Sequence, residues 1–319
     1  MLKIYISKKP EPIGGGSNTF SVLFQKWVEK NGYKIVVDIA NAQIAIIIAH
    51  LADINQVINA KEKGCCIVHR LDEYFGSKEN ENRKHKHDKI IFLNKYADLT
   101  IFQSIFVFNN VYPYIKPKKY CVIHNGSDPE KFYPGKKSGQ YIGHITWGID
   151  TKKRLDLLLQ FIERKKEENF ILIGRHAESR YNFNIPNVRL IGKIKHKKIA
   201  KYFRMMKLLY FPSENDPCPN TAIEAILSGV PVCYNQNGGT AELVNPSNNF
   251  LNAVNIERCG NLSKEDLPKS YVCGLPLDQS DMLLQNLDFY RLNCLKRKDL
   301  HFDNVFKRYF NAINQIKSF

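Results

Sequence analysis

The chain has 319 residues, of which 44% are hydrophobic and 24% charged, and its formal net charge is +16. This composition excludes an intrinsically disordered chain, and the length suits two domains better than a single core. The positive charge predicts attraction to a nucleic acid, an anionic membrane or a phosphorylated ligand. We interpret its densest runs, Arg83–His87 and Lys193–Lys198, as solvated faces.

No segment reaches the ~18 apolar residues that a membrane helix requires. The longest apolar run, Ile44–Ala49, has the length of a buried strand, and the N-terminus lacks the apolar region of a signal peptide. The eight cysteines form no C-x-x-C pair, and several lie in apolar runs, where free thiols act as small hydrophobic residues. We therefore expect a reduced, cytoplasmic protein that is soluble or at most peripheral at a membrane surface.

Short apolar runs alternate with helix-like segments in the first part of the chain. The first predicted helix is Thr19–Lys30. The predicted strands are Leu2–Ile6, Ile35–Asp38, Ile44–Ile48, Cys66–His69, Leu99–Phe102 and Tyr120–Ile123. Continuous rather than alternating apolar strands favour a parallel sheet covered on both faces, as in a doubly wound α/β domain.

The pattern restarts after a polar Gly/Pro/Lys stretch, Tyr133–Gly139, that suits a linker. A helix is predicted at Arg154–Arg164. The strands predicted here are Tyr141–Ile145, Phe170–Ile173, Val188–Ile191, Leu208–Phe211 and Val230–Tyr234. The sequence thus predicts two tandem Rossmann-like domains, 1–136 and 137–300, and a final amphipathic helix within 301–319 that must pack on a folded surface.

Each predicted half begins with a strand and a turn suited to a ligand. Gly14–Gly16 in the first half allow backbone amides to approach a phosphate or sugar, although a flexible turn with Ser17 or Asn18 as N-cap fits equally well. In the second half, Thr146–Gly148 lead to Lys152–Arg154. These cations would neutralise a diphosphate leaving group, or they are solvated lysines.

The segment SENDPCPNTAIEAILSGVPV, from Ser213 to Val232, permits two interpretations. In the structural one, Thr221 and Glu224 form a capping box at the start of a helix. In the functional one, Asp216 and Glu224 bind sugar hydroxyls at two ends of a ligand, and a helix N-terminus between them holds phosphate. A nucleotide sugar has this arrangement of hydroxyls and phosphates.

The same segment resembles the signature region of retaining glycosyltransferases of the GT-B fold, family four. The likeness covers Asp216, seven intervening residues, Glu224-Ala225 and then Ser-Gly-Val-Pro-Val. It continues in Gly238–Glu242 and, upstream, in Ile123–Asp128 with Phe132 and Pro134. The resemblance implies that the final helix crosses back onto the first domain.

The resemblance also implies roles for individual residues. Glu224 would bind the donor ribose, Asp216 the transferred sugar, and Lys153 the diphosphate. Near the sugar and acceptor, His69 and Asp72 would act as catalytic residues. The remaining donor contacts would come from Gly15, Gly16, Thr146, Arg175, Lys193, Pro219, Asn220 and Thr221.

Three features depart from the family pattern. The first acid is usually a glutamate, and Asp216 is one methylene shorter. The arginine usually paired with the lysine is absent, with His144 after Gly143, so Lys152 or Arg154 would substitute. Pro217 and Pro219 stand where the family usually has glycines.

We therefore expect a retaining, metal-independent transferase without a bound cofactor. It would move a sugar from a nucleotide diphosphate sugar to a saccharide, glycoconjugate or lipid-linked hydroxyl. One alternative is another sugar-nucleotide enzyme on the same fold, such as an epimerase. A basic nucleic-acid-binding protein is the alternative from another class, but basic residues interleaved with aromatics are not found, so a nucleic-acid partner is not expected.

Overall fold

The computed structural model describes residues 1–11, 15–73, 75, 83–246 and 271–316. These residues form two compact units. The first unit contains the described residues up to Gly126 and those from Phe302 onward. The second unit contains the described residues from Ser127 to His301.

The first unit is a parallel α/β domain. Its helices are α1 (Gly16–Lys30), α2 (Ile54–Glu62), α3 (Lys84–Asn94) and α4 (Ile105–Ile115). Its strands are β1 (Lys3–Ile6), β2 (Lys34–Val36), β3 (Ile44–Ile48), β4 (Cys66–Leu71), β5 (Leu99–Phe102) and β6 (Tyr120–Val122). The strands pair in parallel in the order β2-β1-β3-β4-β5-β6.

The central strand β3 shows why this sheet is covered on both faces. All five of its residues are buried. Ile44, Ile46 and Ile48 belong to one core cluster, whereas Ala45 and Ile47 belong to the cluster on the opposite face. Since side chains alternate across a strand, only a continuous apolar run fills two cores.

The last helix, α11 (Phe302–Ile316), completes the core of the first unit. Its buried residues recur at helical spacing, and Phe306 is 2% exposed. The Phe306 ring lies 5.4 Å from that of Phe20 and 5.2 Å from that of Phe24, both on α1. Such edge-to-face aromatic contacts pack α11 against α1, as the sequence resemblance implied.

The second unit has the same architecture. Its helices are α5 (Leu155–Arg164), α6 (Ile199–Phe203), α7 (Asn220–Leu227), α8 (Thr240–Val244), α9 (Ser280–Gln285) and α10 (Leu287–Cys294). Its strands are β7 (Tyr141–Thr146), β8 (Phe170–Gly174), β9 (Val188–Gly192), β10 (Met206–Phe211), β11 (Val232–Tyr234) and β12 (Gly274–Pro276). They pair in parallel in the order β12-β11-β10-β7-β8-β9.

The division between the units falls after Gly126, earlier than the sequence-based boundary at 136. Phe132, 1% exposed, belongs to a core cluster of the second unit. The guanidinium of Arg291 donates hydrogen bonds to the carbonyls of Gly229 and Gly135, both at 2.8 Å. The stretch predicted to be a linker is therefore tied to the second unit through Gly135, although most of its residues are exposed.

Truncation of Phe306 tests the packing of α11. Phe306→Ala should lower the free energy of unfolding of the first unit by about 3–5 kcal/mol, because the surrounding aromatic rings cannot fill the cavity. Urea unfolding can be followed by the fluorescence of Trp27, whose ring lies 6.2 Å from Phe306, in a Trp147→Phe background. Asn314→Ala, on the exposed face of α11, is the control and should change stability by less than about 0.5 kcal/mol. Equal stability of both variants would contradict this packing.

Candidate functional site

Predicted donor-site residues follow successive strands of the second sheet. Because the strands are parallel, their carboxyl ends lie along one edge. Thr146 ends β7, and Arg175 follows β8. Lys193 follows β9, and Asp216 lies in the loop after β10. The structure thus gathers these residues at the edge where open α/β sheets bind ligands.

The loop that carries Asp216 is fixed by a neighbouring loop. The Asn215 amide donates to the Asn237 carbonyl at 2.7 Å, and the Gly239 amide donates to the Asp216 carbonyl at 2.9 Å. Between them, Gly238 has φ +135°, and a Cβ there would lie 3.0 Å from the Asp216 backbone. Only glycine adopts this conformation readily at so close an approach.

Asp216 forms an ion pair with Lys153. Its carboxylate Oδ2 lies 3.8 Å from the Lys153 Nζ, and both side chains are partly buried. Burial raises the pKa of the Asp216 carboxyl, while the Lys153 ammonium and the Cys218 amide lower it. The two residues that the resemblance assigns to the sugar and the diphosphate are therefore neighbours.

The capping-box interpretation of Thr221 and Glu224 is wrong. Helix α7 begins at Asn220 with Pro219 as N-cap, and this end has no side-chain cap. The Pro219 carbonyl accepts from the Ala222 amide at 3.1 Å. Because the helix starts earlier than a Thr221 cap requires, Glu224 lies beyond the first turn and cannot reach back to the cap amide.

The Glu224 carboxylate instead contacts His196. Its Oε1 accepts a hydrogen bond from His196 Nε2 at 2.7 Å, and the Glu224 side chain is only 4% exposed. The Lys131 ammonium lies 2.9 Å from the other His196 nitrogen, Nδ1. Sequence reasoning missed both partners, since His196 lies in the run Lys193–Lys198 that we interpreted as a solvated face.

Arg175 and Lys193, predicted near the nucleotide base, share one acidic partner. The Glu178 carboxylate lies 2.7 Å from each of them. Lys193 and Arg175 together lower the pKa of the Glu178 carboxyl. Arg154, a suggested substitute for the missing family arginine, pairs with Asp156 at 2.9 Å and Glu214 at 3.4 Å.

In the first unit, Gly15 and Gly16 lie at the start of α1. Gly15 is the N-cap, and a Cβ added to it would meet no atom within 4 Å. The alternative with Asn18 as N-cap is wrong, because the Asn18 side chain bonds to both backbone groups of Glu11. Gly14 lies outside the described residues. The described residues leave space beside Gly15.

His69 is an internal residue of the first unit. Its side chain is 0% exposed, with Nε2 2.9 Å from the Ala49 carbonyl and Nδ1 3.0 Å from the Asn94 amide nitrogen. Because the Asn94 NH₂ donates, His69 Nδ1 accepts and Nε2 carries the proton. Burial lowers the pKa of His69 to about 4. These contacts give His69 a structural role, and its catalytic role stays a prediction.

Asp72 is held by the buried Arg70. The Arg70 guanidinium donates to Asp72 at 2.6 Å, to Gln103 at 2.9 Å and to Asn125 at 2.8 Å. It also lies 4.2 Å from the centre of the Phe20 ring. Asp72, just after β4, is thus held by Arg70, which is itself bound by Gln103 after β5, Asn125 after β6 and Phe20 of α1.

Two histidines of the second unit, His144 on β7 and His176 after β8, form a buried pair. His144 Nδ1 and His176 Nε2 are 2.6 Å apart, and the side chains are 0% and 1% exposed. Burial lowers the pKa of both residues, to about 4 for His176. Their remaining nitrogens have no hydrogen-bond partner in the part of the chain that the structure describes. Both imidazoles are therefore neutral at pH 7.

Comparison with known proteins finds a family match for part of the chain. Residues 139–258 match the family Glycosyl transferases group 1. The 2-deoxystreptamine N-acetyl-D-glucosaminyltransferase of Niallia circulans is 28% identical over 116 residues. That alignment spans 34% of this chain and 30% of the relative, so it extends over less than a third of the relative's length.

Solved structures of similar proteins extend the likeness to the whole chain. HepE of Anabaena in complex with UDP superposes with a TM-score of 0.68 at 12% identity, covering 99% of this chain and 100% of that one. The lipopolysaccharide outer core galactosyltransferase WaaB gives 0.65 at 14% identity, with 99% of each chain covered. These similarities confirm the predicted fold, two Rossmann-like domains of the GT-B type.

Within the described ranges, no group of three or more His, Cys, Asp or Glu side chains is arranged to hold a metal ion. None of the helices in those ranges combines the length and the apolar character needed to span a bilayer. The seven cysteines in this part of the chain are buried.

The histidine pair predicts a pH dependence. Because the folded pKa of His176 is about 4 and the unfolded value about 6.5, the unfolded state binds more protons between these values. Stability is therefore complete above pH 6.5 and should fall as the pH drops toward 4, by on the order of 3 kcal/mol from His176. His176→Gln should flatten this slope, as measured by urea unfolding of a Trp27→Phe background with Trp147 fluorescence.

His85→Gln provides the control, because this histidine is exposed and lies in the first unit. It should leave the pH slope of the second unit unchanged. If His176→Gln and the unsubstituted protein show the same slope, His176 is not the neutral buried group described above.

Proposed function

We propose that this chain is a glycosyltransferase that moves a sugar from a nucleotide diphosphate sugar to a hydroxyl of a saccharide, glycoconjugate or lipid-linked acceptor. The observation that carries the proposal is the cluster at the carboxyl edge of the second sheet, where Asp216, Lys153 and the start of α7 lie within a segment that matches the family. Similar structures support a nucleotide donor, since HepE of Anabaena was solved with UDP and with UDP-glucose.

The donor would lie along this edge with its diphosphate near Lys153 and the start of α7. The first amides of a helix have no acceptor within the helix, so Asn220 and Thr221 would direct partial positive charge at phosphate. Lys153 would add a full charge as the leaving diphosphate develops negative charge. Prearranged charges of this kind stabilise the transition state without reorganisation.

The two acids would bind the two sugars of the donor. Asp216 would accept hydrogen bonds from hydroxyls of the transferred sugar, and Glu224 from hydroxyls of the ribose. Burial raises the pKa of the Asp216 carboxyl, and the neighbouring Lys153 ammonium opposes this effect. Thr146, Arg175, Lys193 and Pro219 would complete the donor contacts of the second unit.

We further propose roles for the first unit. Gly15 and Gly16 would approach the donor closely, and Asp72 would bind the sugar or the acceptor. Retention of configuration, with the leaving phosphate taking the acceptor proton, follows from the family resemblance. The same resemblance implies that the reaction needs no metal ion. Lys153 and the start of α7 would neutralise the diphosphate instead.

The direct test is a panel of UDP-, GDP-, ADP- and CMP-sugars offered to the purified protein. One donor should show slow hydrolysis or nucleotide release, insensitive to EDTA. Glu224→Ala should weaken binding of that nucleotide roughly 10- to 100-fold, because two hydrogen bonds to a charged group are lost. NMR of the released sugar or of the transfer product reports whether the anomeric configuration is retained.

Glu163→Gln, on the exposed side of α5, is the matched control and should bind the nucleotide like the unsubstituted protein. The proposal fails if no nucleotide sugar binds or turns over and Glu224→Ala changes nothing.

We also propose a location in the cytoplasm with peripheral attachment to an anionic membrane, to which the net charge of +16 would attract the protein. Vesicles containing phosphatidylserine should bind the protein at low salt and release it at high salt, because surface attraction is screened within about 10 Å at 0.1 M salt. Neutral phosphatidylcholine vesicles are the control. A failure to bind anionic vesicles even at low salt would contradict the attachment.

A further inference from the structure

The Glu224 carboxylate has a partner that the proposed donor contacts do not include. His196, which follows β9, donates from Nε2 to Glu224 Oε1 at 2.7 Å. The His196 side chain is 44% exposed, whereas that of Glu224 is 4% exposed. The imidazole is therefore the exposed member of this pair, and the carboxylate is the buried one.

Lys131 determines which nitrogen of this imidazole carries the proton. Its ammonium lies 2.9 Å from His196 Nδ1 and has only protons to offer. Nδ1 must therefore accept, so Nε2 carries the proton and donates it to Glu224. Loss of Lys131 would leave the imidazole free to adopt the other tautomer, in which Nε2 cannot donate.

A buried ring holds the two residues in place. Phe132 is 1% exposed, and its ring lies 5.0 Å from the Lys131 ammonium and 5.7 Å from the His196 ring. Burial lowers the pKa of Lys131, while the carboxylates of Glu224 and Asp128 raise it. Lys131, His196 and Glu224 thus form a chain of donors and acceptors anchored in the core of the second unit.

We infer that Lys131 and His196 are positioning residues that orient the Glu224 carboxylate for two adjacent hydroxyls of a ribose. This inference rests on the proposed function. Within the described part of the chain, no hydrogen bond reaches Glu224 Oε2. A carboxylate has about four acceptor positions, so Oε2 and the second position of Oε1 remain for the ribose while His196 stays bound. His196 fixes the side chain without occupying the ligand's place.

The test compares binding of a nucleotide with binding of the same nucleotide without its 2′ and 3′ hydroxyls. Calorimetry would use the tightest binder among UDP, GDP, ADP and CDP, together with its 2′,3′-dideoxy counterpart. His196→Ala should weaken binding of the ribonucleotide about fivefold, the effect of one hydrogen bond, and leave the dideoxy nucleotide unchanged. Lys131→Met should act in the same direction, and His196→Gln, which keeps a donor near Nε2, should restore binding.

Lys197→Met is the matched control, because Lys197 is an exposed residue of the same turn as His196. In a Glu224→Ala background, His196→Ala should have no further effect, since its only route to the ribose has been removed. The inference is overturned if His196→Ala weakens both nucleotides equally, strengthens ribonucleotide binding, or changes neither. A protein that binds no nucleotide, or that binds it equally well after Glu224→Ala, contradicts the proposed function instead.

Discussion

Parallel pairing of buried strands is the constraint on which the candidate site depends. In a parallel sheet each strand is followed by a crossover connection, so the carboxyl ends of all strands lie at the same edge. The loops that bind ligands begin at this edge. In the second unit, this rule brings Lys153 beside Asp216 although they are 63 positions apart in the sequence. The continuous apolar strands, which fill the cores on both faces of the sheet, therefore also bring Lys153 and Asp216 together.

The sequence predicted the strands and helices whose apolar residues recur at regular spacing. Strands such as Ile44–Ile48 and helices such as Phe302–Ile316 follow from apolar spacing alone, and their bounds agree with the structure. It did not predict contacts between distant loops. His196 bonds to Glu224 across 28 positions, and nothing in a lysine-rich run marks one member as a partner. The division at Gly126 was missed for a similar reason, since only the fold shows that Phe132 enters the second core.

The two acids differ in how their environment controls them. Asp216 has a short side chain on a loop whose backbone is bonded to its neighbour, so its carboxylate stays close to Lys153 and the Cys218 amide. Glu224 has a longer side chain on a helix and depends on His196 for its orientation. The acid proposed to bind the transferred sugar, Asp216, is thus held in place by its backbone. The acid proposed to bind the ribose, Glu224, is held by hydrogen bonds between side chains.

A crystal structure with the tightest-binding nucleoside diphosphate tests the central claim most directly. The account predicts electron density for the nucleotide along the carboxyl edge of the second sheet. Its ribose hydroxyls should lie within hydrogen-bonding distance of Glu224, with His196 still bound to that carboxylate, and its phosphates should lie near Lys153. A nucleotide bound elsewhere on the chain, or no density at a concentration that saturates binding in solution, would contradict the account.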